Sequence, residues 1–179
     1  MISPPFVCIF CDGHGPFTSE EHIIPHSLGN DLLVLAKGWV CDSCNNIFSA
    51  FESRVLYSSI LGAERCRMGV VTKRRKPARA HTHGISWFAQ PNAPPNVIEV
   101  EVDWTSIRAL RSKDGRRVKV AFPMHDESNR DISRLLLKVG IELVSLLLHS
   151  DEPPAYDISE AKRFLVSQDT SAWPYFVLL

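Results

Sequence analysis

Two short motifs in this chain share one spacing, Cys8-Ile9-Phe10-Cys11 and Cys41-Asp42-Ser43-Cys44, with 29 residues between them. A C-x-x-C turn aims two sulfurs at one point. Two such turns supply the four tetrahedral thiolates that a structural zinc takes, at Zn–S distances of about 2.3 Å. A single pair would serve redox chemistry as well, so a redox protein, with disulfides and no zinc, is a third reading of the chain. Cys66 stands alone and reads as a buried or half-exposed thiol. A filled zinc shell gives structure without catalysis, and the chemistry must come from elsewhere.

Between the pairs stand Glu21-His22-Ile23-Ile24-Pro25 and Ser27-Leu28-Gly29, and Asn45 follows the last cysteine directly. With the two C-x-x-C pairs, these residues resemble the HNH endonuclease family in its zinc-stapled form. The resemblance covers roughly residues 7–54, and it implies a ββα-metal module of two antiparallel strands and a helix around one divalent cation. It implies that His22 is the general base, Glu21 the acidic metal ligand beside it, and Asn45 the residue completing the metal shell. The family's middle asparagine falls near Ala36 by the spacing of relatives, with Asn30 and Asn46 as candidates.

The residue chemistry agrees. Hydrolysis of a phosphodiester needs an activated water and a cation against the charge gathering on the phosphoryl and departing 3' oxygens. A histidine with a pKa near 6.5 suits the base. A carboxylate and an amide oxygen are hard ligands suited to Mg²⁺ or Mn²⁺. Glu21 and His22 are adjacent, so in an extended strand their side chains face opposite ways, and a local twist must bring them to one site. His14 and His26 stand close enough to assist at phosphate or to replace His22, and Glu20 is a neighbour that Glu21 displaces from the matched position.

From Arg65 to Arg79 seven basic residues, Arg65, Arg67, Lys73, Arg74, Arg75, Lys76 and Arg79, occur without an acidic one. They read as a phosphate-binding stretch with salt-dependent, mostly sequence-independent affinity, or else as a solvated linker. His81 and His83 add charge only as pH falls, and Trp87 and Phe88 read as base-stacking or core residues. DNA is the preferred partner and RNA the second. The alternative function is a catalytically inactive zinc-binding module that binds nucleic acid or a protein.

The rest of the chain must position these residues. Its 179 residues are 45% hydrophobic, with 20 basic and 20 acidic side chains, so affinity for nucleic acid must be local. The N-terminus lacks a signal-peptide pattern, because Asp12, His14, Glu20, Glu21 and His22 follow at once, and no apolar run spans a membrane. A reducing, cytoplasmic location is expected. The fold class expected is α+β: a zinc-bound ββα module over 1–64, a basic linker over 65–90, and an α+β unit over 91–179. In the module a helix is expected from Cys44 to about Leu61, with Ile47, Phe48, Phe51, Val55 and Leu56 on one face. Beyond it, Val97–Trp104 and Arg117–Phe122 alternate like strands of a hairpin turning at Lys113-Asp114-Gly115. A core helix from about Ile132 to Leu148, capped by Asn129 or Asp131, a short helix over Ser159–Leu165, and a strand or docked segment over Trp173–Leu179 complete it. The C-terminal unit is a candidate surface for a homodimer or a partner protein.

Overall fold

A computed structural model describes residues 4–72, 74–82, 84–92, 94, 96–103, 105, 109–111, 118–120, 129–147, 157–167 and 173. Within them the chain forms β1 (Glu21–His22), a 3-10 turn (His26–Leu28), β2 (Val34–Leu35), α1 (Asp42–Ser58) and α2 (Ile60–Arg67). There follow β3 (Arg79–Thr82), β4 (Ile85–Ala89), β5 (Ile98–Val102), β6 (Ala109–Arg111), β7 (Val118–Val120), α3 (Asn129–Leu147) and α4 (Ser159–Val166). The strands make three small antiparallel sheets, β1–β2, β3–β4–β5 and β6–β7. The chain is α+β, with its cysteine cluster near the N-terminus.

Two compact units divide the chain: Met1–His26, Asn30–Ser53 and Asn129–Leu179 form one, Ser27–Gly29 and Arg54–Ser128 the other. These are not the boundaries that composition suggests at residues 64 and 90. The basic stretch runs straight into the strands β3 and β4, and the C-terminal helices pack with the N-terminal segment.

The first unit is built on aromatic and aliphatic packing. Phe10 meets Phe48 edge-on at 4.5 Å between ring centres, and Phe51 lies beside Phe48 at 5.6 Å. Cys8, Ile23, Leu35, Trp39 and Val40 are buried. On α1 the buried stripe runs Phe48, Phe51, Val55 and Leu56, while Ile47 stands more than a third exposed. The helix ends at Ser58, short of Leu61. Ser59 breaks it: its hydroxyl donates back to the Val55 carbonyl at 2.6 Å and accepts from the Leu61 amide, capping α2.

Helix α3 begins at Asn129 and stops at Leu147, close to expectation. Its buried face is not the apolar one that its composition suggests. Arg134, Lys138 and Glu142, spaced four apart, are buried with Leu135 and Ile141, while Leu136, Val144 and Leu147 face out. Arg134 donates to the carbonyls of Phe164 (3.2 Å) and Ser167 (2.7 Å), satisfying the open C-terminal end of α4. Phe164 lies under the same guanidinium at 5.0 Å, and Trp173 beside Phe164 at 5.4 Å.

In the second unit α2 lies close on β3. A Cβ at Gly62 would stand 2.7 Å from the Leu56 carbonyl oxygen and 2.9 Å from Ala80, so only glycine allows this approach. Cys66, Ala78, Ala80 and Ala89 form a small core with Trp87 and Ile98 packed against it. The strand expected over Val97–Trp104 forms as β5, but it pairs with β4, and the described part of the second expected strand, Val118–Val120, pairs with β6. The hairpin is β6–β7, and its first strand, three residues long, is too short to carry an alternation signal. The turn Lys113-Asp114-Gly115 and all of 173–179 except Trp173 lie outside the described residues, as do Lys73 and His83.

Candidate functional site

The first cysteine pair sits on a tight turn. The Cys8 amide donates to the Gly13 carbonyl at 2.8 Å, and the Asp12 amide to the Cys8 carbonyl at 2.9 Å, with Asp12 in the left-handed region at φ 57°. The second pair opens α1: the Asn45 amide donates to the Cys41 carbonyl at 3.0 Å in the first helical turn. Thr18 ties that turn down through its amide and hydroxyl to Asp42, at 2.9 and 2.8 Å, and these bonds lower the Asp42 pKa. Backbone bonds from Phe6 to Gly38 and from Ile9 to Trp39, each 3.0 Å, hold the two cysteine turns side by side.

The four sulfurs lie within 4.8 Å of one another, and those of Cys11 and Cys41 are 3.7 Å apart. Four thiolates about 2.3 Å from one ion, at the corners of a tetrahedron, stand ~3.8 Å apart. The set fits zinc. Their crowding shows in their acidity. A hydrogen bond from Cys44 holds the Cys8 thiol down at about 4, and the same pairing drives Cys44 far up, while burial raises Cys11.

Between the cysteine pairs, β1 and β2 join Glu21 to Leu35 and His22 to Val34, and the Ile23 amide extends the ladder to the Leu33 carbonyl at 3.0 Å. Asn30 staples the connecting loop with its whole amide. Its nitrogen donates to the carbonyls of Ile24 (2.8 Å) and Leu33 (3.0 Å), and its oxygen accepts from the amides of Leu32 (3.1 Å) and Leu33 (2.9 Å). Of the two candidates for the family's middle asparagine, Asn30 is therefore a loop-shaping residue, and Asn46 is exposed on α1.

The side chains of β1 follow the strand alternation. Glu21 is buried, and His22 is half-buried with its ring edge-on to His26 at 5.6 Å. His26 Nε2 lies 3.0 Å from Asp31 Oδ1. His14 and Glu20 are exposed, and Asn45 is half-buried at the start of α1.

Glu21 has a partner that the sequence does not announce. Its Oε1 lies 2.6 Å from Lys138 Nζ, which also meets Glu52 at 2.9 Å, Glu142 at 3.3 Å and the His22 carbonyl at 3.0 Å. Lys138 is wholly buried. Burial pulls its pKa down, but Glu142, Glu21 and Glu52 together more than reverse this, and the net shift is upward. Burial pushes Glu142 well above the usual carboxylate range, against the lowering pull of Lys138. The signal was present in the sequence as charges four apart, Arg134, Lys138 and Glu142, inside an apolar helix. On sequence alone Lys138 and Glu142, with Gly140, read only as interruptions of the apolar run from Leu135 to Leu148.

The basic stretch divides in two. Arg74, Arg75, Lys76 and Arg79 are exposed. Arg65 is buried with its guanidinium donating to the Leu56 carbonyl at 3.2 Å, and Arg67 is bound to Glu64 at 2.7 Å and to Asn96. Arg74, Lys76 and Arg79 line a groove of about 1150 Å³ in the second unit, whose other residues include Phe88, Glu99 and Glu101. Arg79 stacks over Phe88 at 5.5 Å. Trp87 belongs to the small core, and His81 Nδ1 meets Ser86 Oγ at 3.1 Å.

Residues 8–56 match the HNH endonuclease family. The HNH segment holds both cysteine pairs, β1, β2 and nearly all of α1, and leaves Lys138 and the rest of α3 outside it. No curated protein and no solved structure matches the chain. No helix among the described residues is long and apolar enough to cross a membrane.

Proposed function

We propose that this protein is a metal-dependent endonuclease of the HNH type that hydrolyses phosphodiester bonds of DNA, acting in the cytoplasm. The observation that carries this reading is the family match over residues 8–56, which spans the zinc cysteines together with Glu21, His22 and Asn45. In this reading His22 takes the proton from the attacking water, and its place on the half-buried face of β1 leaves it within reach of solvent. Glu21 and Asn45 would hold a Mg²⁺ or Mn²⁺ ion, for which their carboxylate and amide oxygens are the hard donors. When bound, such an ion would supply neutralisation of the charge on the phosphoryl group and the departing oxygen. Glu21 Oε1 is engaged by Lys138 at 2.6 Å, so the carboxylate that would hold the ion is already fixed in orientation. The exposed arginines and lysine of the second unit's groove supply phosphate contacts without reading bases, and RNA is the second candidate substrate.

A second reading, an inactive zinc-stapled module that binds nucleic acid or a protein, is favoured by one observation: Glu21 is buried in an ion cluster. Cleavage decides between them. Wild type and His22→Ala, matched for zinc content, are compared on supercoiled plasmid, single-stranded DNA and RNA with Mg²⁺ or Mn²⁺. The nuclease reading expects cutting by wild type and a loss of about 10²–10⁴-fold in the variant. No cutting by wild type, with binding unchanged in His22→Ala, establishes the inactive module.

A further inference from the structure

We propose that Lys138, carried on α3 far outside the HNH segment, is a positioning residue of the nuclease site, fixing Glu21 and the backbone of His22 together. The inference rests on the nuclease reading given above. Its geometry is independent of that reading. One ammonium, wholly buried, makes its shortest contact, 2.6 Å, with the carboxylate of Glu21, and donates at 3.0 Å to the carbonyl of His22. These are the two consecutive residues to which the nuclease reading assigns metal binding and proton removal. An extended strand turns their side chains to opposite faces, so something must set the carboxylate and the strand's rotation in register. Lys138 does both from one atom.

The remaining contacts of Lys138 hold it in place. Glu52, on α1 in the same helix as Asn45, lies 2.9 Å away, and Glu142, one turn further along α3, lies 3.3 Å away. The cluster thereby joins β1, α1 and α3, the first two of which carry all three residues of the proposed reaction. Lysine suits this post because three donors on a point charge reach several acceptors at once. Oε1 of Glu21 is held by the ammonium, and this contact fixes the plane of the carboxylate that would serve the metal. Small displacements matter here, since a shift of ~1 Å in a reacting group lowers rates about 10²-fold.

The test uses the full chain with zinc bound. Lys138→Met strands three carboxylates and is at risk of unfolding. Lys138→Met/Glu142→Met removes the deepest carboxylate with the ammonium and keeps the cluster's net formal charge. Cleavage of supercoiled plasmid is measured as kcat and KM, and Mn²⁺ affinity is measured by electron paramagnetic resonance without DNA. The expected result for the double variant is native zinc content and circular dichroism, KM for DNA within about twofold, kcat lower by ~10²-fold, and Mn²⁺ binding weakened by about 10-fold or more. A purely structural lysine would leave kcat and Mn²⁺ affinity at wild-type values once the fold is restored, and that outcome overturns the positioning role while leaving the nuclease intact. A wild type that cleaves no substrate and binds no Mn²⁺ overturns the nuclease reading, and the role of Lys138 falls with it.

Discussion

Replacing Lys138 by methionine tests the buried cluster as an energetic object. In formal charge the native cluster sums to minus two, one ammonium against Glu21, Glu52 and Glu142. Lys138→Met takes it to minus three with no cation, at a site where Lys138 and Glu142 have no exposure and Glu21 very little. Breaking a buried pair by removing one partner costs about 3–5 kcal/mol, because the surviving charge is left without compensation. With a urea slope of about 2 kcal/mol/M, the unfolding midpoint of the first unit falls by roughly 2 M. The double variant Lys138→Met/Glu142→Met returns the sum to minus two, with the remaining carboxylates, Glu21 and Glu52, nearer to solvent. It should recover at least half of the loss, since apolar replacement of buried ion pairs is often near neutral.

The deficit also depends on pH. Glu142 is already held above its unfolded value, and loss of the ammonium raises it further. A carboxyl whose folded pKa is raised binds more protons folded than unfolded, so its stability is fully present below the unfolded pKa of ~4.3 and is lost as pH rises through the folded value. The gap between Lys138→Met and wild type should therefore narrow as pH falls from 8 toward 5, with zinc content verified at each step. Urea titrations of wild type and both variants by circular dichroism measure these differences. A single variant within about 1 kcal/mol of wild type, or a double variant no more stable than the single, refutes the reasoning.

Cys41→Ser should lose stoichiometric zinc, measured by elemental analysis, and melt the first unit's ββα segment, because the binding energy of a structural zinc, about 10–16 kcal/mol, is as large as the whole stability of an ordinary domain. Replacing Arg74, Lys76 and Arg79 together by glutamine should reduce the salt slope of DNA binding by about 2.7 in log–log units, at ~0.9 per phosphate contact, with little effect on stability, measured by fluorescence anisotropy across a salt series. Gly62→Ala should destabilise the second unit by about 1–3 kcal/mol despite alanine's better helix propensity, because the clash is with a backbone carbonyl that has no rotamer to yield, and thermal melting reads it.

What the sequence disclosed depends on how far apart the interacting residues are. The cysteine turns were legible because each pair is local and the metal's geometry demands the spacing. α1, α3 and α4 were legible from periodicity and from stop signals such as Ser150-Asp151-Glu152-Pro153-Pro154. Strand partners were not, since β5 has the same alternation whether it faces β4 or β7, and nothing local chooses. The basic stretch was legible as charge but not as exposure: Arg65 and Arg67 have the same sequence character as Arg74 and Arg75, and only the fold buries Arg65 and ties Arg67 to Glu64.

Lys138 shows the deeper reason. Its partners Glu21 and Glu52 lie 117 and 86 residues away in sequence, and a buried lysine has no local pattern that separates it from an exposed one. Burying an ammonium is unfavourable unless charges meet it, so the helix can turn this face inward only where β1 and α1 offer carboxylates. The converse holds as well: Glu21 can be buried on β1 only because α3 brings a cation. The segment that matches the HNH family, residues 8–56, thus contains two of the three carboxylates of a buried ion cluster whose ammonium is supplied from residue 138, and the zinc staple fixes its backbone without supplying that charge. The N-terminal segment and the C-terminal helices form one compact unit for this electrostatic reason as well as for their apolar contacts.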